Sequence, residues 1–134
     1  MATNPAGLPL RGTIHESLGI RTVEATPERV VVELDVGPRV HQPFGIMHGG
    51  ASAVLIESAA SIGAYVSVQP SHHALGIDLN VSHLKAVRSG VLRAVAEPVR
   101  KGRTIHVWGV EIMDETGDRV AVGRCTMAIK EARP

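Results

Sequence analysis

The second half of this chain alternates apolar and polar positions. Leu75, Ile77, Leu79 and Val81 alternate with Gly76, Asp78, Asn80 and Ser82, the period of a strand with one buried face. Three more strand-like runs follow at regular spacing: Val91–Val99, Ile105–Met113 and Val120–Ile129. Their separators, Arg88-Ser89-Gly90, Arg100 to Arg103 and Asp114 to Asp118, carry turn chemistry, and such short links predict antiparallel neighbours. Upstream, Ile20–Glu24 and Arg29–Val36 read as two strands joined by Ala25-Thr26-Pro27. The second of these sets Val30, Val32, Leu34 and Val36 on one face. Thr13 to Leu18 predicts a short helical turn.

The character changes between these groups. After a loop from Arg39 to His48, Gly49-Gly50 opens the Ala-rich run Ala51–Val66, with small residues on nearly every face. It predicts one helix of about four turns, buried all round, and Gln69-Pro70-Ser71 ends it. One long helix against an antiparallel sheet of five or six strands is an α+β arrangement. The 134 residues are expected to form one domain, 1–134, with an irregular segment over 1–12.

Composition narrows the function classes. Hydrophobic residues make up 44% and charged residues 20%, which excludes wholesale disorder. A net charge of +1 and an aromatic content of 2% argue against a nucleic-acid partner, for which neither a basic field nor stacking platforms are present. Cys125 is the single cysteine, so a disulfide framework and a thiolate cluster are excluded. No metal site is expected, since His72-His73 lacks a third ligand at convincing spacing; His41 and His106 carry no assignment. With no membrane span and no signal peptide read, the expectation is a cytoplasmic protein.

Between Arg39 and Asp78 one Asp, Glu, Lys or Arg side chain occurs: Glu57, in the middle of the predicted helix. Its neighbours three and four residues away are Ala53, Val54, Ala60 and Ser61, so no polar stripe or cation is at hand. A carboxylate so placed either reaches solvent through a gap or sits in a cleft as a nucleophile or base. Ser61, on the same face, either hydrogen-bonds that carboxylate or serves close packing. His48-Gly49-Gly50 marks the helix N-terminus, where free N–H groups suit an oxyanion, although a turn that merely needs glycine gives the same pattern. Gly49 and Glu57 are eight residues apart, an axial rise of roughly 12 Å. One chain therefore cannot bring both to a single carbonyl, and a shared site requires two chains.

The block from Gln42 through His48-Gly49-Gly50 to Glu57-Ser58 resembles the hotdog-fold acyl-CoA thioesterases. It is most similar to the Arthrobacter-type 4-hydroxybenzoyl-CoA thioesterases and the 1,4-dihydroxy-2-naphthoyl-CoA thioesterases of menaquinone synthesis. The likeness continues through Gly76 to Asn80, Ser82-His83, Arg100 to Trp108 and Asp114 to Gly117. It implies a hotdog fold, hydrolysis of an aromatic acyl-CoA, and no cofactor beyond the coenzyme A of the substrate. By the same resemblance Glu57 is the catalytic carboxylate, Gln42 and His48 hold and polarise the thioester, and the Gly49 amide binds the oxyanion. Ser61, where relatives often carry Thr, assists the carboxylate or water. Coenzyme A contacts are implied at Gly76, at His83, Leu84, Lys85 and Ala86, and at Arg100, Lys101, Gly102, Arg103, Thr104 and Ile105. The assembly implied is a homodimer with shared sites, within a homotetramer. Two other functions fit a helix-borne carboxylate: a hotdog enoyl-CoA hydratase or dehydratase, and a non-catalytic acyl-CoA-binding protein.

Overall fold

The structure, a computed structural model, describes residues 4–133. Its elements run in chain order as α1 (Ile14–Leu18), β1 (Arg21–Ala25), β2 (Val30–Val36), α2 (Gly49–Val68), β3 (His72–His83), β4 (Gly90–Lys101), β5 (Ile105–Met113) and β6 (Arg119–Glu131). A single 3-10 turn, Pro38–Val40, interrupts the loop before α2. The six strands form one antiparallel sheet in the order β1-β2-β4-β5-β6-β3, and α2 packs against all six. This is the expected α+β layout, a sheet wrapped around one long helix.

Small residues let the helix sit close to the sheet. At Gly63 a side chain would meet the Trp108 indole at 2.5 Å, so glycine is what allows the largest buried side chain to lie under the helix. Around it Leu34, Leu55, Ile56, Leu92, Ile112 and Met127 are fully buried. Burying a side chain of this size is worth roughly 1.5–3 kcal/mol.

Three expectations need correction. First, α2 is not buried all round in one chain: Ala53, Val54, Ser61 and Tyr65 are half-buried and Glu57 is exposed. The sheet curves around most of the helix and leaves this stripe of i, i+4 neighbours uncovered. At 20 residues with one charge α2 also has the length and apolar character of a membrane span, contrary to the sequence reading, but half of it is core. Second, the alternation of β3 breaks at a bulge between Gly76 and Asp78, which leaves Leu75 and Ile77 exposed while Leu79 and Val81 still pack on the core. Third, short links do not make every consecutive pair neighbours. β4-β5-β6 follow the expectation, but β3 lies beyond β6 at the sheet edge, and the chain from Leu84 to Ser89 returns across the sheet end to place β4 beside β2.

The segment ahead of α1 has no helix or strand over residues 4–12, yet it is fixed in place. The Asn4 carboxamide accepts from the N–H groups of Ala6 (3.1 Å) and Leu8 (3.2 Å) and donates to the Leu8 carbonyl (2.5 Å). Ala6 is buried, and Leu8 packs against the core. Expectations for residues 1–3 and 134 fall outside the described residues.

Candidate active site

The helix N-terminus is built by a short local hydrogen-bond set. His48 is the N-cap of α2, and its Nδ1 accepts from the Gly50 N–H at 2.7 Å. With Nδ1 an acceptor, a neutral imidazole carries its proton on Nε2, which leaves that nitrogen as a donor. Gly49 is the first helical residue, and its N–H has no intrahelical acceptor. A side chain on Gly49 would approach the His83 ring to 2.8 Å, so the open backbone there and His83 adjoin. Gln42, Gly49, Ser52, His83, Lys85 and Ala86 are among the residues lining one cavity of about 370 Å³. Within its loop the Gln42 side-chain oxygen accepts from the Phe44 N–H.

Two turns further along α2 lies a second cavity, of about 440 Å³, lined by Glu57, Ser61 and Tyr65 and closed by residues from the segment before and within α1. Glu57 lies against Gly76 of β3: a side chain at Gly76 would stand 2.9 Å from Oε1 of Glu57. Ser61 does not hydrogen-bond the carboxylate; its hydroxyl faces the Met127 sulfur at 3.9 Å. Beneath, Cys125 is buried and its thiol is pushed up to about 11 by burial, with Glu57 and Asp78 adding to the shift. A thiol so protonated is no nucleophile at neutral pH, in keeping with a core role.

The residues expected to form one site are thus divided between two ends of the sheet. Gln42, His48, Gly49 and His83 to Ala86 gather at the helix N-terminus; Glu57, Ser61 and Gly76 lie further along. Arg100 to Ile105, at the β4–β5 turn, belong to the second end, because Ile105 pairs with Ala128 and Ala128 with Leu75. Lys85 departs from the expected free cation: it is bound to Asp114 (2.6 Å) and Asp118 (2.7 Å), and these bonds raise its pKa and hold Asp114 well below the usual carboxylate range. Lys101 donates to the Pro27 carbonyl at 2.9 Å. Arg88 braces the Phe44 and Gly45 carbonyls of the loop before α2. Among the described residues no cluster of three His, Cys, Asp or Glu side chains is placed to hold a metal ion.

Sequence reasoning did not find the wall of the second cavity. Leu8, Leu10, Ile14 and His15 line it, and Tyr65 completes it from α2. Their only signal was weak: apolar residues spaced through a Pro- and Gly-bearing segment that reads as a loose end.

Comparison with known proteins gives a consistent picture. Residues 44–121 match the family model described as the thioesterase superfamily. The chain is 42% identical over 120 residues to a 1,4-dihydroxy-2-naphthoyl-CoA hydrolase of Listeria monocytogenes, covering 90% of this chain and 98% of that protein. It is 36% identical over 118 residues to a proofreading thioesterase of Cronobacter turicensis, covering 88% and 86%. A crystal structure of a thioesterase from Haemophilus influenzae superposes with a TM-score of 0.88 at 31% identity, covering 91% of this chain and 85% of that one.

Proposed function

The chain belongs to the thioesterase superfamily and is an acyl-CoA thioesterase, and on that premise we propose that it hydrolyses aromatic acyl-CoA esters at sites shared between two subunits. Coenzyme A enters as part of the substrate and water is the co-reactant, with no further cofactor. The 1,4-dihydroxy-2-naphthoyl and hydroxybenzoyl esters are the substrates we favour, in a cytoplasmic step of menaquinone synthesis.

One observation carries the shared site: the amide end and the carboxylate end occupy separate cavities of one chain. A thioester carbonyl needs an oxyanion donor and an activated oxygen nucleophile together. The β3 edge supplies a way to unite them. It is 12 residues long, pairs among the described residues only with β6, and exposes Leu75 and Ile77, so a second β3 can add to it antiparallel. Gly76 and His83 lie on either side of Leu79 and Asn80. A two-fold axis near those residues sets Gly76, with Glu57, beside His83 and Gly49 of the partner subunit. Pairing of two such dimers gives the tetramer.

In that site the Gly49 N–H receives the carbonyl oxygen, while Gln42 and the His48 Nε2–H orient and polarise the ester. Glu57 then acts in one of two ways. It attacks the carbonyl carbon, expelling the coenzyme A thiolate and leaving a mixed anhydride that water cleaves to the free acid and carboxylate. Alternatively, it takes a proton from a water that attacks the carbonyl and expels the thiolate directly. Arg100, Lys101 and Arg103 project cations at the β4–β5 turn, where they can meet phosphates of the nucleotide. Ser61 borders the carboxylate and can hold water. The test is thiol release from a panel of aryl- and fatty acyl-CoA esters. Faster kcat/KM for aryl esters, lost in Glu57→Gln, supports the reading; equal rates for the variant and the parent protein overturn the role of Glu57.

A further inference from the structure

The cavity beside Glu57 is walled by α1 and the segment before it, residues that lie outside the stretch matched by the family model. Its volume of about 440 Å³ falls within the range of small-molecule sites, roughly 300–1,000 Å³. Leu8, Leu10, Ile14 and Ile62 make it largely apolar. Among its polar side chains, Thr13 is already spent on the Leu10 carbonyl at 2.6 Å, and Ser61 faces the Met127 sulfur.

His15 differs. Among the described residues its Nδ1 is shielded from solvent and has no hydrogen-bond partner, an unusual state for a polar atom in a folded chain. Burial also lowers its pKa, so the ring is neutral near pH 7. The polar atom His15 can offer to the cavity is therefore Nε2. A hydroxyl both donates and accepts, so it can pair with Nε2 in either neutral tautomer. Glu57 and Tyr65 bracket the same cavity along α2, eight residues or roughly 12 Å apart. Both residues line the cavity that α1 and the segment before it wall, so the span available to an acyl group runs along α2 from Glu57 toward Tyr65.

We propose that His15 is a specificity-determining residue of this enzyme, hydrogen-bonding through Nε2 to a hydroxyl on an aromatic acyl group held between α1 and α2. The proposal rests on the aryl-thioester reading above and adds to it the element that reads the ring. It assigns selectivity to the N-terminal segment and chemistry to α2.

The experiment measures binding of non-hydrolysable thioether analogues by calorimetry, comparing phenacyl-CoA with its three monohydroxy isomers. The parent protein should bind at least one hydroxy isomer about tenfold tighter than phenacyl-CoA, the scale of one neutral hydrogen bond. His15→Phe, which keeps an apolar wall, should abolish that preference while binding phenacyl-CoA as before. His15→Gln, which can still donate and accept, should restore part of it, and Glu57→Gln should retain it. An unchanged preference in His15→Phe overturns the proposal, as does a parent protein that binds no isomer better than phenacyl-CoA. Because the analogues are not turned over, the ratios stay readable whatever the catalytic result. Failure to hydrolyse benzoyl-CoA would instead count against the aryl-thioesterase reading.

Discussion

The two ends of α2 are chemically unlike. At the N-terminus the helix offers donors: the Gly49 amide and the Gln42 carboxamide line a cavity with no carboxylate among the described residues, and the capping His48 adds its Nε2–H next to Gly49. Two turns on, Glu57 supplies a carboxylate at a largely apolar cavity that holds none of those three donors. An oxyanion donor without a nucleophile binds, and a nucleophile without a donor reacts slowly. On the shared-site proposal, separating the two halves along one helix makes dimerisation a precondition for chemistry.

The largest effect should come from the carboxylate end. Glu57→Gln is expected to lower kcat by about 10³-fold, within the 10²–10⁴ range of a positioned base, with an unchanged circular dichroism spectrum. Mixed dimers sharpen the comparison. Gly49→Pro deletes the amide at the first helical position, where the backbone accepts proline once the His83 ring shifts aside, and should also be inactive alone. After subunit exchange with Glu57→Gln, half of the dimers are mixed and each regains one intact site. About a quarter of full activity should return. Exchange verified by mass spectrometry with no recovery would show that each site lies within one chain.

Smaller losses are expected where groups polarise the ester without reacting. Gln42→Ala and His48→Ala should each reduce kcat/KM by about 10²-fold, less than Glu57→Gln. If either equals the Glu57 effect, the roles at the two ends must be exchanged. Loss of His48 should also cost the α2 N-cap about 1 kcal/mol, visible as a lower Tm.

Substitution of Arg100 and Arg103 should act on KM alone, by about two- to fivefold, and only for esters with the nucleotide. Pantetheine esters should respond little, and added salt should mimic the change. Lys85→Met should have less effect on KM than either arginine, since Asp114 and Asp118 already occupy Lys85.

Acid stability separates burial from chemistry. Burial lowers the pKa of His15, and burial together with Lys101 lowers that of His106, each from 6.5. Above 6.5 both folded and unfolded states are neutral at these groups and the stability is fully present. As pH falls through 6.5 the unfolded chain gains protons that the folded chain does not, so stability declines. The Tm should drop between pH 7 and pH 5, and His15→Phe should flatten part of that fall.

Periodicity in the sequence determined five or six strands, one central helix and their approximate bounds, because apolar spacing reports which side of a local element faces a core. Isolation of one charge in an apolar helix singled out Glu57, and the spacing to Gly49 set the expectation that a site using both needs two chains. What lay beyond local pattern was pairing. The bulge that turns Leu75 and Ile77 outward depends on β6, and the place of β3 at the sheet edge depends on where the return loop lands. Exposure of Glu57 and capture of Lys85 by two aspartates follow from which surfaces meet, as does the wall that His15 adds to the second cavity. Local spacing fixes the face a side chain occupies; only the folded chain decides what, if anything, covers that face.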